Sequence, residues 1–275
     1  MVTRRAAVLG SPISHSRSPV LHRAAYAALG LDWSYDAIEV TTSDLAAFLD
    51  SCRWPEWAGL SLTMPLKTDV LPLLDEVSEL ASLTRASNTV VFTERGRVGH
   101  NTDVAGMQRA LQEAHGAGFA PQRGAIIGSG ATARSALAAL VGLGAREVDI
   151  IARTPERAQE LSSLGRELGV AVSVSPWEGT APIQGDAVIA TVPPGAADTL
   201  VDRVPDAPGV LLDVAYGSGV TTLTSAWTHA GGASADGLDL LLWQAVDQVR
   251  LMTGREAPVA ARRDALRADA GTTSA

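Results

Sequence analysis

The chain has 275 residues, 46% of them hydrophobic, and a formal net charge of −8 at pH 7. That length and apolar share support a core divided between two domains, and the acidic balance speaks against a nucleic-acid surface, which needs clustered Lys and Arg. No apolar run approaches the ~20 residues of a membrane span, and the single Cys52 leaves no internal disulfide and suits a reducing cytoplasm. Arg4 and Arg5 precede an apolar run that stops at Gly10-Ser11-Pro12, too short for a signal peptide. The histidines are scattered without zinc-ligand spacing, so no metal is expected.

Up to residue 103 the chain alternates between strand and helix patterns. Residues 5–9 read as a short buried strand, 18–29 as a helix ended by Gly30, and 33–40 as a second strand. Thr42-Ser43-Asp44 reads as the cap of a helix over 45–49, residues 59–63 as a third strand, and 87–101 as a hairpin turning at Glu94-Arg95-Gly96. A helix over 104–115 then carries the chain into a second domain. Such alternation predicts a sheet with parallel pairs and helices on its faces.

Ligands of open α/β folds gather at the carboxyl ends of strands, and three polar clusters fall there. After the first strand, Ser11, Ser14, Ser16 and Ser18 form a dense hydroxyl group. It can bind a carboxylate, although capping the next helix needs only one of these serines. Thr63-Met64-Pro65-Leu66-Lys67 follows the third strand, and Lys67 is either a solvated charge or a catalytic cation. Ser87-Asn88-Thr89 and Asn101-Thr102-Asp103 bracket the hairpin, as turn formers or as ligand contacts.

The stretch Gly124-Ala125-Ile126-Ile127-Gly128-Ser129-Gly130-Ala131-Thr132-Ala133 reads as a buried strand, a tight turn and a helix start. Its glycines let the backbone approach a pyrophosphate, whose charge faces the helix N-terminus, while Ala133 stands where a third glycine packs helix on strand. The same string is also compatible with an ordinary turn into an Ala-rich helix. Its context favours the nucleotide. Residues 147–152 form the next strand pattern and end at Arg153-Thr154-Pro155-Glu156-Arg157. An NAD site carries a carboxylate at this edge for the ribose 2′-hydroxyl, whereas here no acid precedes Arg153 and Arg157. Arginines suit a 2′-phosphate, so the pairing favours NADP over NAD, with two solvated arginines as the bland alternative. A helix over 155–168 and strands over 170–175, 187–191 and 209–214 follow. The last helix, 238–253, has a wide apolar face and is expected to return to the first domain and close a cleft. The tail from Ala261, including Gly271-Thr272-Thr273-Ser274, is expected to fray.

Taken in order, these motifs resemble the shikimate dehydrogenase family over nearly the whole chain. The likeness rests on Ser16-Arg17-Ser18-Pro19 with His22, the run 63–67 ending in Lys67, Asn88-Thr89, and Asn101-Thr102-Asp103 with Gly106. It continues through the glycine turn, the run 153–157, Asp213 with Tyr216, and Asp236-Gly237-Leu238 leading to Gln244. The resemblance implies a two-domain α/β chain. An N-terminal substrate domain with a mixed sheet, 1–103 completed by 238–275, would join a Rossmann-type doubly wound NADP-binding domain, 104–237. It further implies that Ser16 and Ser18 hold the substrate carboxylate, that Thr63, Asn88, Asp103, Tyr216 and Gln244 contact ring hydroxyls, and that Lys67 and Asp103 form the catalytic pair. Lys67 either passes on the proton or only stabilises charge. The cofactor residues implied are Gly128, Ser129, Gly130, Ala131, Thr132, Arg153, Thr154, Arg157, Thr191, Gly237 and Leu240. The expected activity is the NADP-dependent interconversion of 3-dehydroshikimate and shikimate, in a cytoplasmic monomer or homodimer without nucleic-acid or membrane partners. A quinate-preferring, NAD-using relative and a non-catalytic NADP-binding paralogue are the alternatives. The chain departs from the family pattern at Arg23, Ser61, Ala152, Asp239 and Leu240, and at residues 189–194.

Overall fold

The computed structural model describes residues 3–116, 118–217 and 219–272. The chain divides into two compact units, one of residues 1–102 with 244–275 and one of residues 103–243.

The first unit opens with β1 (Arg4–Gly10), α1 (Ser18–Ala28), β2 (Trp33–Glu39), α2 (Leu45–Ser51) and β3 (Trp57–Leu62). The short α3 (Leu66–Asp69), β4 (Glu76–Val77), α4 (Glu79–Thr84) and the hairpin of β5 (Thr89–Thr93) and β6 (Gly96–His100) follow. Its sheet runs β2-β1-β3-β5-β6-β4. β1 lies parallel to β2 and β3, whereas β5 is antiparallel to β3 and β6. The sheet is mixed because the connection through α4 brings β5 back antiparallel to β3, and the tight hairpin then reverses the chain again into β6. Successive side chains of β1 alternate between faces. Ala7 and Leu9 enter one apolar cluster with Leu60 and Val90, while Ala6 and Val8 enter another with Tyr26, Tyr35 and Val249. A sheet covered on both faces explains why β3 is buried at every residue.

The second unit contains α5 (Asp103–His115), β7 (Arg123–Ile127), α6 (Ala131–Leu143), β8 (Glu147–Ala152), α7 (Pro155–Leu168) and β9 (Ala171–Pro176). It continues with β10 (Ala187–Ala190), β11 (Val210–Asp213), α8 (Thr222–His229) and β12 (Ala233–Ala235). All six strands are parallel, in the order β12-β11-β10-β7-β8-β9. The chain winds outward from β7 in one direction and from β10 in the other, which makes the β7/β10 gap the topological switch point of a doubly wound sheet. Helix α9 (Gly237–Thr253) crosses the unit boundary, with Trp243 counted in the second unit and Gln244 in the first.

The chain does not end on α9. The tail expected to fray from Ala261 instead forms α10 (Val259–Thr272), packed on α1, while Thr273 and Ser274 lie outside the described residues. Two features hold α10 in place. Leu266 and the whole of Arg262 are buried, and Asp269 accepts a 2.6 Å ion-paired hydrogen bond from Arg17. Arg262 Nε and both its terminal nitrogens have no hydrogen-bond partner, and burial pulls its pKa down to about 10. The expected cap of α2 also differs. Asp44 occupies the cap position with helical dihedrals and makes no cap bond, because its carboxylate is taken by the Thr41 hydroxyl at 2.5 Å.

His22 of α1 is fully buried and stacks on Tyr35, with ring centroids 4.0 Å apart and planes 10° from parallel. Desolvation first, and the nearby Arg262 charge second, lower its pKa well below the ordinary 6.5. The unfolded chain therefore takes up a proton near pH 6.5 that the folded chain refuses. This contribution to stability is complete above 6.5 and is lost progressively as the pH falls below it, by up to ~1.4 kcal/mol per pH unit. The thermal midpoint of the protein is expected to fall more steeply with acidification than that of a His22→Gln variant. Equal slopes between pH 6.5 and 5 would contradict a neutral His22.

Candidate active site

In the first unit β1, β3 and β6 point the same way and β5 points the opposite way, so four loops share one sheet edge. They are the exit of β1 with Ser16 and Ser18, the exit of β3 with Thr63 and Lys67, the entry of β5 with Asn88, and the exit of β6 with Asn101 and Thr102. Backbone bonds tie them together: Thr63 N donates to Leu9 O (2.9 Å), Ser11 N to Met64 O (3.1 Å), Leu62 N to Asn88 O (2.8 Å) and Ser87 N to Lys67 O (2.8 Å). The cap position of α1 falls on Arg17, which makes no cap bond, and Ser16 Oγ accepts from the Ser18 N–H at 3.3 Å. Ser18 is buried, Ser16 and Lys67 are half-buried, and Lys67 sits on the single turn of α3. Asp103 follows Thr102 directly as the first residue of α5 and is only 4% exposed.

Behind these loops runs a buried hydrogen-bonded network whose polarity is set by two backbone groups. The Asn88 carbonyl can only accept, so the Gln248 atom 3.2 Å from it is Nε2, and Gln248 Oε1 must be the acceptor for Ser61 Oγ (2.7 Å) and His22 Nε2 (3.2 Å). Having spent its proton on Gln248, Ser61 accepts from the Tyr35 hydroxyl at 2.6 Å. Gln248 Nε2 also donates to Thr89 Oγ1 (3.0 Å), which passes its own proton to Asn88 Oδ1 (2.9 Å). The Thr102 N–H can only donate, and its 2.8 Å bond fixes Asn88 Oδ1 from the other side. Asn88 Nδ2 is thereby directed at Thr102 Oγ1 (3.0 Å) and Gln244 Oε1 (3.4 Å). Asn88 and Gln244, 156 positions apart in the chain, thus meet. The serine at position 61, a departure from the family pattern, is an integral member of this network.

In the second unit, the turn after β7 holds Gly128 at φ +113°, a conformation open to glycine. A Cβ there would lie 2.5 Å from Thr191 Oγ1, and Thr191 in turn donates from its N–H (2.8 Å) and its Oγ1 (3.0 Å) to Ile127 O. Thr191 therefore stands on the β10 side of the switch point, against the glycine turn. A Cβ on Gly130, the residue before α6, would meet no atom within 4 Å. Ser129, Ala131 and Thr132 are half-buried around it. At the end of β8, Arg153, Thr154 and Arg157 are exposed, and the Arg153 guanidinium lies 5.4 Å from the Trp177 ring centroid. Open space above Gly130, a helix N-terminus and two exposed arginines just beyond β8, with Ala152 rather than a carboxylate as its last residue, fit a phosphorylated dinucleotide.

The remaining predicted residues sit on braced loops. Tyr216 is half-buried after β11, where Asp213 accepts from Ala215 N (3.1 Å) and from Thr221 Oγ1 (2.7 Å). Gly237 N donates to Ala215 O at 3.2 Å, and Leu240 is buried one turn into α9. Asp239, a departure whose purpose the sequence left open, completes a capping box. Asp236 Oδ1 accepts from Leu238 N (2.8 Å) and Asp239 N (3.1 Å), while Asp239 Oδ2 accepts from Asp236 N (3.1 Å).

Sequence reasoning passed over Gln248 and Tyr35, and gave Thr89 no role beyond its place in the Asn88-Thr89 motif. A signal for Gln248 was present: it lies four residues after Gln244, on the same face of α9. Among the described residues, no group of three or more His, Cys, Asp or Glu could hold a metal ion, and no helix is long and apolar enough to cross a membrane.

A model of the shikimate dehydrogenase substrate-binding domain matches residues 8–90 and one of the shikimate 5′-dehydrogenase C-terminal domain matches residues 237–267. Between them, residues 123–217 match a model described as NADP oxidoreductase, coenzyme F420-dependent. The NADP-dependent shikimate dehydrogenase of Moorella thermoacetica is 36% identical, over 98% of this chain and 94% of its own. The crystal structure of Mycobacterium tuberculosis shikimate dehydrogenase superposes with a TM-score of 0.87 at 38% identity, covering 96% of this chain and 99% of that one. That of the Thermus thermophilus enzyme, in complex with NADP(H) and shikimate, gives 0.83 at 31% identity over 96% and 98%. With likeness over nearly its whole length and the motifs in their order, the chain belongs to the shikimate dehydrogenase family.

Proposed function

We propose that this protein is an NADP-dependent shikimate dehydrogenase, reversibly reducing the ketone of 3-dehydroshikimate to the hydroxyl of shikimate. Residues 1–103 with 238–275 handle the substrate and 104–237 the dinucleotide. The observation that carries the reading is the 3.4 Å contact of Asn88 with Gln244, which joins two distant motifs at the sheet edge that also bears the serines and Lys67. When bound, NADPH supplies the hydride.

Ser16 and Ser18 hold the substrate carboxylate, and Thr63, Asn88, Tyr216 and Gln244 contact its hydroxyls. As hydride reaches the carbonyl carbon, negative charge grows on the carbonyl oxygen. Lys67 stabilises that charge and delivers a proton, while Asp103 orients the ammonium and the nascent hydroxyl. In the reverse direction the same pair receives the hydroxyl proton. Gly128, Ser129, Gly130, Ala131 and Thr132 cradle the pyrophosphate, with Thr191, Gly237 and Leu240 lining the nicotinamide end. Arg153, Thr154 and Arg157 take the 2′-phosphate. The single, buried Cys52 fits an enzyme of the reducing cytoplasm, which we take to work as a monomer or homodimer.

The direct test is a spectrophotometric assay of shikimate with NADP against quinate with NAD. Turnover of the first pair well above the second supports the reading. The reverse preference indicates a quinate enzyme, and no turnover with either a non-catalytic paralogue. Replacing Arg153 by Asp removes a phosphate ligand and adds a repelling charge, so NADP affinity is expected to fall by ~10–100-fold with little change for NAD. Equal losses for both would remove Arg153 from the phosphate site.

A further inference from the structure

Gln248 and Thr89 do not line the four loops of the sheet edge. They lie behind Asn88, 1% and 0% exposed, yet both bond directly to it: Thr89 through the Asn88 side-chain oxygen and Gln248 through the Asn88 backbone carbonyl. A carboxamide can present either its oxygen or its NH2 to a ligand, and the two faces have nearly the same shape. Asn88 is held to one of them. Its Oδ1 is occupied from behind by the Thr89 hydroxyl and the Thr102 N–H, so its NH2 faces Gln244. Gln248 Nε2 beside the Thr89 hydroxyl can only donate, so the Thr89 proton is left to go to Asn88 Oδ1, and Gln248 in turn is oriented by Ser61 and His22.

We propose that Gln248 and Thr89 are positioning residues which fix the amide of Asn88 as a hydrogen-bond donor, and so set the polarity with which the site reads the hydroxyl oxygens of its substrate. This rests on the assignment of Asn88 as a hydroxyl contact. His22 belongs to the same device, because its Nε2 carries the hydrogen that Gln248 Oε1 accepts while Nδ1 faces the Tyr26 hydroxyl at 3.5 Å.

The test compares Gln248→Met, Thr89→Val and Thr89→Ser, each also on an Asn88→Ala background. Gln248→Met and Thr89→Val are expected to raise the KM for shikimate ~10-fold, with kcat and the KM for NADP nearly unchanged. Thr89→Ser keeps the hydroxyl and should restore near-normal KM. On the Asn88→Ala background neither Gln248→Met nor Thr89→Val should add a further increase, since both act through Asn88. A normal KM in Gln248→Met, or its full effect persisting without Asn88, overturns the proposal. A crystal structure of Gln248→Met decides the matter independently of turnover. The Thr89 hydroxyl should swing away from Asn88 and the Asn88 amide should take a second orientation, whereas an unchanged Asn88 refutes the relay. Should the parent protein fail to turn over shikimate, the functional assignment falls, and this crystallographic arm still reads the geometry.

Discussion

A Lys67→Ala variant is expected to fold like the parent chain and to lose ~10²–10⁴-fold in kcat. The local structure explains the first half. Lys67 contributes its backbone carbonyl to the Ser87 N–H, a bond that alanine keeps, and its side chain is half-buried rather than packed in the core. α3 is anchored instead by Leu66, fully buried in the first unit's apolar cluster. The second half follows from the chemistry. A ketone cannot accept hydride without charge building on its oxygen, and Lys67 is the cation assigned to that oxygen. Steady-state oxidation of NADPH with 3-dehydroshikimate, alongside a thermal melt, checks both halves. A variant with the parent melting point and the parent rate would remove Lys67 from catalysis.

Gly128→Ala is expected to damage the dinucleotide half through backbone strain and steric contact together. The backbone at φ +113° is strained for any L side chain, at a cost of ~1–3 kcal/mol, and the new methyl would start 2.5 Å from Thr191 Oγ1. Relief requires moving either the turn or Thr191, whose two bonds to Ile127 O join β10 to β7. Both routes displace the groups assigned to the pyrophosphate, so NADP binding should fall by ~100-fold or more together with stability. Gly130→Ala provides the contrast. Its methyl would enter open space, so stability should hold while dinucleotide affinity drops, because that space is where the pyrophosphate is placed. Titration of NADP by calorimetry on both variants separates the effects. Full affinity in Gly130→Ala would move the pyrophosphate elsewhere.

The order of elements was largely legible because it depends on local periodicity. The apolar run ending at Gly128 followed by an alanine-rich segment could only be a buried strand, a glycine turn and a helix, and β7 and α6 lie there. The helix over 155–168 matches α7 and the hairpin turn falls between β5 and β6. What local pattern could not convey was the fate of polar residues within weakly patterned segments. α10 has too little contiguous apolar surface to announce itself, and it holds only because α1 offers a docking face and Arg17 offers Asp269 a partner. Asp44 looked like a cap, yet Thr41 competed for its carboxylate. Asp239 looked anomalous until its reciprocal bond with Asp236 was visible.

For this protein the sequence by itself determined the strand–helix alternation, the glycine turn with its arginines, and the ordered set of chemistry-bearing residues, since each depends on neighbours a few positions apart. The tertiary structure alone decided that Asn88 meets Gln244, that Ser61 serves Tyr35 and Gln248, and that a buried relay orients one amide. Hydrogen bonds between residues 156 or 187 positions apart have no local signature. They exist only once strand pairing and helix packing have brought their backbones to within bonding distance, and their direction is imposed by a backbone carbonyl and an N–H that cannot exchange roles.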